Sequence, residues 1–154
     1  MISVTPETAD AGDSLPALTF GPISRTTLAL YAGASGDHNP FHIDIDFAKQ
    51  TGLADVFAHG MLSFGYLAQV ATRWAGVDRL RSFSARFVSV TQVHDVINCQ
   101  GQVVERFEQG EETYLRIAVA ALAQDGRQTL VGEAVVAAKT ARTSKANPTP
   151  IASV

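Results

Sequence analysis

The chain has 154 residues, room for one domain but not for two catalytic ones. Hydrophobic residues at 46% and charged residues at 18% can supply a real core, which argues against general disorder. A net charge of −3 with no cluster of Lys and Arg gives no footprint for DNA or RNA, so nucleic acid is not an expected partner.

The lone Cys99 has no partner for an internal disulfide and stands in an alternating apolar segment, which predicts a small buried side chain and fits a reducing cytoplasm. No window holds about 18 uninterrupted apolar residues and no basic start leads an apolar run, so neither a membrane span nor a signal peptide is expected. A cytoplasmic location follows as the expectation.

Along the chain, residues 1–14 are polar and without periodicity, and residues 141–154 mix Ser, Thr, Asn and Pro as loose tails do. They are expected to flank a single domain over residues 15–140. Residues 15–20 read as a short strand. Ser24 then caps a helix over residues 25–32, stopped by Gly33. Gly33 and Gly36 free the backbone for the loop SGDHNPFHID, residues 35–44. Asp46 is expected to cap a short helix over residues 47–51, ended by Gly52.

Residues 60–75 are the most distinctive helix candidate. Met61, Leu62, Phe64, Leu67, Val70 and Trp74 spread around most of the helical wheel, as in a helix buried on all sides. Beyond Leu80 the texture changes to β, with runs at residues 81–90, 96–107, 113–124 and 128–140. Residues 108–111 and the dipeptide Asp125-Gly126 read as hairpin connections. Four antiparallel strands need cover on one face, and only the 60–75 helix is apolar enough, so the prediction is an α+β domain with sheet curled around a helix.

Two segments carry chemistry. Asp37 and His42 lie in one loop, and Pro40 disfavours helical backbone at Asn39, so helical spacing does not relate the two. A carboxylate and an imidazole around one water can divide acid and base work, one taking a proton as oxygen attacks carbon while the other gives a proton to the neighbouring carbon. The same loop is equally rich in residues that form Asx turns, so taken alone it leaves a structural turn and an active site both open. The second segment is Ala58-His59-Gly60-Met61-Leu62-Ser63, at the start of the buried helix. Helix N-termini carry unpaired N–H groups and partial positive charge, which can hold a carbonyl or thioester oxygen as negative charge builds on it. Gly60 has no side chain to block that approach, although close packing would also explain a glycine there. His59 reads equally well as a capping or core histidine.

Other chemistries fit less well. His38, His42, Asp44, Asp46 and His59 match no known zinc spacing, so no metal is expected. Ser35 and Ser63 lie in no G-x-S-x-G elbow. No dinucleotide or triphosphate loop occurs.

The stretch YAGASGDHNPFHID followed by AHGML resembles the MaoC-like hydratases and dehydratases, which include the (R)-specific enoyl-CoA hydratases and acyl dehydratase subunits of fatty acid elongation. The resemblance covers roughly residues 12–140. It implies a hot-dog fold, a curved antiparallel sheet wrapped around a long central helix, and pairing into a homodimer or a hot-dog heterodimer. It implies Asp37 and His42 as the catalytic pair holding the water, with Asn39 shaping their loop. Gly60 would offer its N–H to the thioester oxygen, with His59 and Ser63 nearby. The implied reaction is reversible addition of water to a trans-2-enoyl thioester, on CoA or acyl carrier protein, with no metal or organic cofactor. Which of Asp37 and His42 is the base stays open. The chain departs from the family after the helix, where Val90 stands near an expected proline and His94 near an expected glycine. A hot-dog thioesterase and a non-catalytic subunit of a heterodimeric dehydratase are the competing expectations.

Overall fold

A computed structural model of the chain describes residues 4–139. Five strands, β1 (Leu18–Phe20), β2 (Leu80–Phe87), β3 (Ile97–Gln109), β4 (Glu112–Ala123) and β5 (Gln128–Ala137), form one antiparallel sheet in the order β1-β3-β4-β5-β2. Four α-helices, α1 (Arg25–Ser35), α2 (Pro40–Ile43), α3 (Ile45–Gln50) and α4 (Gly60–Ala75), and a short 3₁₀ turn, Val77–Arg79, lie between β1 and β2 among the described residues.

Alternation builds the sheet. In β3, Ile97, Cys99 and Val103 point inward and are wholly buried while Gln100 and Gln102 point out. Cys99 is the small core side chain expected, and burial pushes its thiol up to about 12. The ladder between β3 and β4 shifts register between Val103 and Glu105, and that between β4 and β5 between Ala121 and Leu122, irregularities that bend a sheet.

The bend closes on α4, which touches all five strands. Leu67, Val70 and Ala71 pack with Ile97, Leu115, Ile117 and Leu130 in one cluster, each large side chain removed from water being worth about 1.5–3 kcal/mol. This is the α+β hot-dog arrangement. One expectation for α4 is corrected: it is not buried all round, since Met61 is 56% exposed and Gly65 and Arg73 also face outward. A single sheet covers one side of a helix, and these residues stand on the side turned away from it.

Several boundaries move for local reasons. The strand expected over residues 15–20 shortens to Leu18–Phe20, because Pro16 has no N–H for the ladder; Leu15 N–H still reaches the Gly101 carbonyl at 2.9 Å. The first helix runs through Gly33 to Ser35 and ends at Gly36, whose φ of 75° is the left-handed cap and whose N–H meets the Ala32 carbonyl at 3.0 Å. Ser24 caps its start as expected, accepting from Thr27 N–H at 3.0 Å. The next helix is capped by Asp44 rather than Asp46, and starts at Ile45 rather than Phe47. The 81–90 strand leaves the sheet after Phe87.

Residues 4–14, expected as a segment ahead of the domain, lie against it. Ala9 is wholly buried in the main cluster, and Trp74 Nε1–H donates to the Val4 carbonyl at 2.8 Å. The tail expected at 141–154 lies outside the described residues. Among the described residues no helix is long and apolar enough to cross a membrane.

Candidate active site

A second apolar cluster, separate from the sheet core, holds the site together. Ile23, Leu28, Ala48, Val56, Ala58 and Leu62 join α1, α3 and the first turn of α4. On this base stands the loop 36–44, and its side chains bond mainly to their own neighbours. Asp37 Oδ1 accepts from Asn39 N–H at 3.3 Å and Asn39 Oδ1 from Phe41 N–H at 3.2 Å. Asn39 thereby caps α2, a single turn with Pro40 at its first position, where a missing N–H removes nothing. Asp44 ends that turn, its N–H reaching the Pro40 carbonyl at 2.9 Å, and starts the next with Oδ1 on Asp46 and Phe47 N–H, both at 3.0 Å.

The turn aims His42. Its side chain is 9% exposed and its Nδ1–H donates to the Phe57 carbonyl at 2.8 Å, which leaves the Nε2 lone pair free in the neutral ring. His59, 1% exposed, stacks on His42 with ring centroids 4.0 Å apart and planes 30° from parallel. Its Nε2–H donates to the Asp37 backbone carbonyl at 3.1 Å, while its buried Nδ1 has no hydrogen-bond partner among the described residues. Burial depresses the His59 pKa below its ordinary value; the bond to the Asp37 carbonyl opposes this and the neighbouring His42 adds to it. His59 is thus a neutral strut between the loop and α4.

The carboxylate of Asp37, which is exposed, and one ring nitrogen each from His42 and His59 lie within 4.8 Å of one another. Proximity alone would allow these three to face an ion. One nitrogen of each ring is already bonded to a backbone carbonyl, His42 Nδ1 to Phe57 and His59 Nε2 to Asp37, so each ring has only its other nitrogen to offer.

Gly60 opens α4, where His59 provides no side-chain cap; the His59 carbonyl takes the Leu62 N–H at 3.1 Å, which leaves the Gly60 and Met61 N–H groups without a partner in the helix. A methyl at Gly60 would sit 2.9 Å from Phe87 Cε1, so close packing and open access both call for glycine here. Beside it lies a cavity of about 310 Å³ lined by Phe57, Gly60, Ser63, Phe87, Thr91 and Leu130 among others. Asp37, Asn39 and His42 do not line it. Phe57 joins the two regions, with its carbonyl on His42 and its residue in the cavity wall. Ser63 is buried and its hydroxyl donates to Thr91 Oγ1 at 3.0 Å. His38, Asp44 and Asp46, weighed as ligands in the sequence, fall outside the group formed by Asp37, His42 and His59.

Sequence reasoning missed Phe57, Phe87 and Thr91. Phe57 acts through its backbone carbonyl, which any residue supplies, so no signal was there to find. Thr91 could have been singled out as a hydroxyl residue in the stretch where the family pattern breaks. That break has a geometric counterpart: His94, near the expected glycine, has a φ of 73°, the left-handed region that favours glycine.

The MaoC like domain family matches residues 11–125. The (R)-specific enoyl-CoA hydratase of Rhodospirillum rubrum is 35% identical over 77 residues, which are 49% of this chain and 54% of that protein. The fatty acid synthase beta subunit TOXC of Cochliobolus carbonum is 29% identical over 113 residues, 71% of this chain and 5% of that subunit. The chain therefore spans about half the length of the first relative and a small part of the second. Among solved structures, the unliganded R-hydratase PhaJ1 of Pseudomonas aeruginosa is similar with a TM-score of 0.76 and 28% identity, covering 88% of this chain and 86% of that one. The chain belongs to the MaoC like domain family.

Proposed function

We propose that the protein adds water to trans-2-enoyl thioesters to give (R)-3-hydroxyacyl thioesters, or runs the reverse dehydration. The observation that carries this reading is the pairing of the Asp37 carboxylate with a His42 imidazole whose Nε2 lone pair is left free by the Nδ1–H bond to Phe57, beside the uncapped start of α4. Water sits between Asp37 and His42. As its oxygen bonds to carbon 3, one of the pair takes a water proton; a proton is delivered by the pair to carbon 2, and the double bond is consumed. The electrons pass through the thioester oxygen, which the Gly60 N–H holds while charge builds on it. Asn39 keeps α2 in register and His59 supports both partners. Ser63, whose own proton goes to Thr91, shapes the cavity wall rather than donating to the thioester.

The reaction uses no metal and no organic cofactor, because the thioester itself stabilises the charge at carbon 2. The substrate is an acyl thioester of CoA or acyl carrier protein, and the protein works as a hot-dog dimer or heterodimer. Support comes from the similar (R)-specific enoyl-CoA hydratase and from PhaJ1. The test is to add the purified protein to crotonyl-CoA and follow the ultraviolet absorbance of the conjugated thioester. Absorbance is expected to fall with no free thiol released. Free CoA would favour a thioesterase, and no change with any enoyl thioester would favour a non-catalytic subunit.

A further inference from the structure

The cavity beside Gly60 takes half of its wall, Phe87, Val88, Ser89, Val90 and Thr91, from one continuous run. This run is where β2 leaves the sheet, so regular pairing does not extend through it. Apolar packing does not hold it either: Val88 is 48% and Val90 43% exposed. Its ends are tied by Val88 N–H to the Thr129 carbonyl at 2.8 Å, by Ser89 Oγ–H to the Gln128 carbonyl at 2.7 Å and by the Thr91 carbonyl accepting from Ala58 N–H at 2.9 Å, and one side chain from the connection between β4 and β5 adds a charged grip across its middle. Arg127 Nη1 donates to the Val90 carbonyl and to Ser89 Oγ, the latter at 3.3 Å. Its Nη2 meets Asp95 Oδ2 at 2.7 Å, and that same oxygen accepts Gln92 N–H at 2.8 Å. One guanidinium therefore holds the run near its middle at Ser89 and Val90 and, through Asp95, beyond its end at Gln92.

The anchor is itself fixed. The Arg127 N–H donates to Asp125 Oδ1 and its carbonyl accepts from Ala123 N–H, both at 2.9 Å, and its Nε faces Asp125 Oδ2 at 3.5 Å. Only a planar fork with five donors can meet this many acceptors at once; a lysine ammonium is a point charge on a flexible stem. The Asp95 side chain is 8% exposed and that of Arg127 31%, so the pair has a buried acidic end and a partly solvated basic one.

We propose that Arg127 is a positioning residue for ligand binding: seated on Asp95, it sets the shape of the cavity wall from residue 87 to 91. Arg127 does not line the cavity and touches no reacting atom in the proposed mechanism. The identity of the ligand rests on the hydratase reading, while the clamp itself does not.

The experiment compares the full-length protein with Arg127→Lys and with the double variant Arg127→Gln/Asp95→Asn, which removes both charges together. Steady-state hydration of crotonyl-CoA, thermal melting and amide exchange by mass spectrometry are followed on each. In the double variant KM is expected to rise about tenfold with kcat nearly unchanged, the pattern of lost binding rather than lost chemistry. Arg127→Lys should fall between it and the wild type. Amide exchange should quicken over residues 88–92 and stay the same in α4 and in the β3–β4 hairpin. Unchanged KM and exchange in a folded variant would overturn the proposal, and so would exchange quickened evenly along the chain, or kcat lost with KM unmoved. If the wild-type protein hydrates no thioester, the hydratase reading falls and the exchange pattern alone decides the clamp.

Discussion

Two loops border the site, and they are held in opposite ways. Residues 35–44 bond chiefly to themselves: Ser35 Oγ takes Asp37 N–H at 3.2 Å, Asp37 and Asn39 each take an N–H two residues on, and Asp44 caps the helix that follows. Residues 87–95 are held from far along the chain. Val88 N–H reaches the Thr129 carbonyl at 2.8 Å, Ser89 Oγ the Gln128 carbonyl at 2.7 Å, and His94 N–H the Ile23 carbonyl at 2.7 Å. A self-bonded loop keeps its geometry while its surroundings breathe, which suits groups that must meet one water at fixed distances. A loop held by distant anchors takes its shape from the rest of the fold, which suits a wall that is fitted to a ligand.

The comparison breaks first at the chemistry. Asp37→Asn and His42→Ala are each expected to lower kcat by about 10²–10⁴-fold, the usual range for a lost acid or base; melting should change little in Asp37→Asn, whose amide oxygen still takes the Asn39 N–H, and fall without loss of the fold in His42→Ala, which gives up the Phe57 bond and the stacking on His59. Steady-state kinetics beside a thermal melt checks both. A variant that lost fold and activity together would mean that the loop is only a turn.

That difference also decided what could be read from sequence. The Asp37, Asn39 and Asp44 turns are encoded by residues within three positions of their partners, so a ten-residue window contained most of their physics. The helix over residues 60–75 was legible for the same reason, since its period lies within its own sequence. The bonds from Arg127 to Ser89 and Asp95 were not, because nothing local to either end names the other. Asp44 taking the cap expected of Asp46 shows the limit even at short range: the two carboxylates were equivalent in sequence, and the unexpected turn Pro40–Ile43 chose between them.

The next effect is on acid stability. His59 is buried and its folded pKa lies below the value near 6.5 that the unfolded chain provides. Below about pH 6.5 the unfolded state therefore binds the proton first, and stability is lost as pH falls, by at most about 1.4 kcal/mol per pH unit from one group. In His59→Gln that contribution disappears, and the fall in stability between neutral and acid pH should be shallower. Urea unfolding of both proteins across that range measures it; identical slopes would mean that His59 titrates freely.

Asn39→Ala should act on both levels of the first loop. Losing the cap of α2 is expected to destabilise by about 1 kcal/mol, and His42, carried on that one turn, should lose aim and with it several-fold in kcat. Asn39→Asp keeps the capping oxygen and is expected to restore most of both. Failure of that rescue would mean that the amide itself, not the cap, is what the site uses.

A last pair of substitutions, acting on stability alone, compares the loops most directly, because each contains one left-handed residue. Gly36 has a φ of 75° and His94 a φ of 73°. At Gly36 an added Cβ would meet nothing within 4 Å, so Gly36→Ala isolates the conformational penalty, about 1–2 kcal/mol against folding. At His94 the penalty is already present, and His94→Gly should relieve part of it. The gain is offset by the greater freedom of glycine in the unfolded chain, leaving a net stabilisation of about 0.5–1 kcal/mol, or a rise in melting temperature of about 1–4 °C. Opposite signs for the two substitutions are the expected result. If His94→Gly destabilises instead, the imidazole holds something that the turn needs, and Asp55, whose carboxyl is held below its usual range chiefly by Arg25 and only in small part by His94, is the place to look.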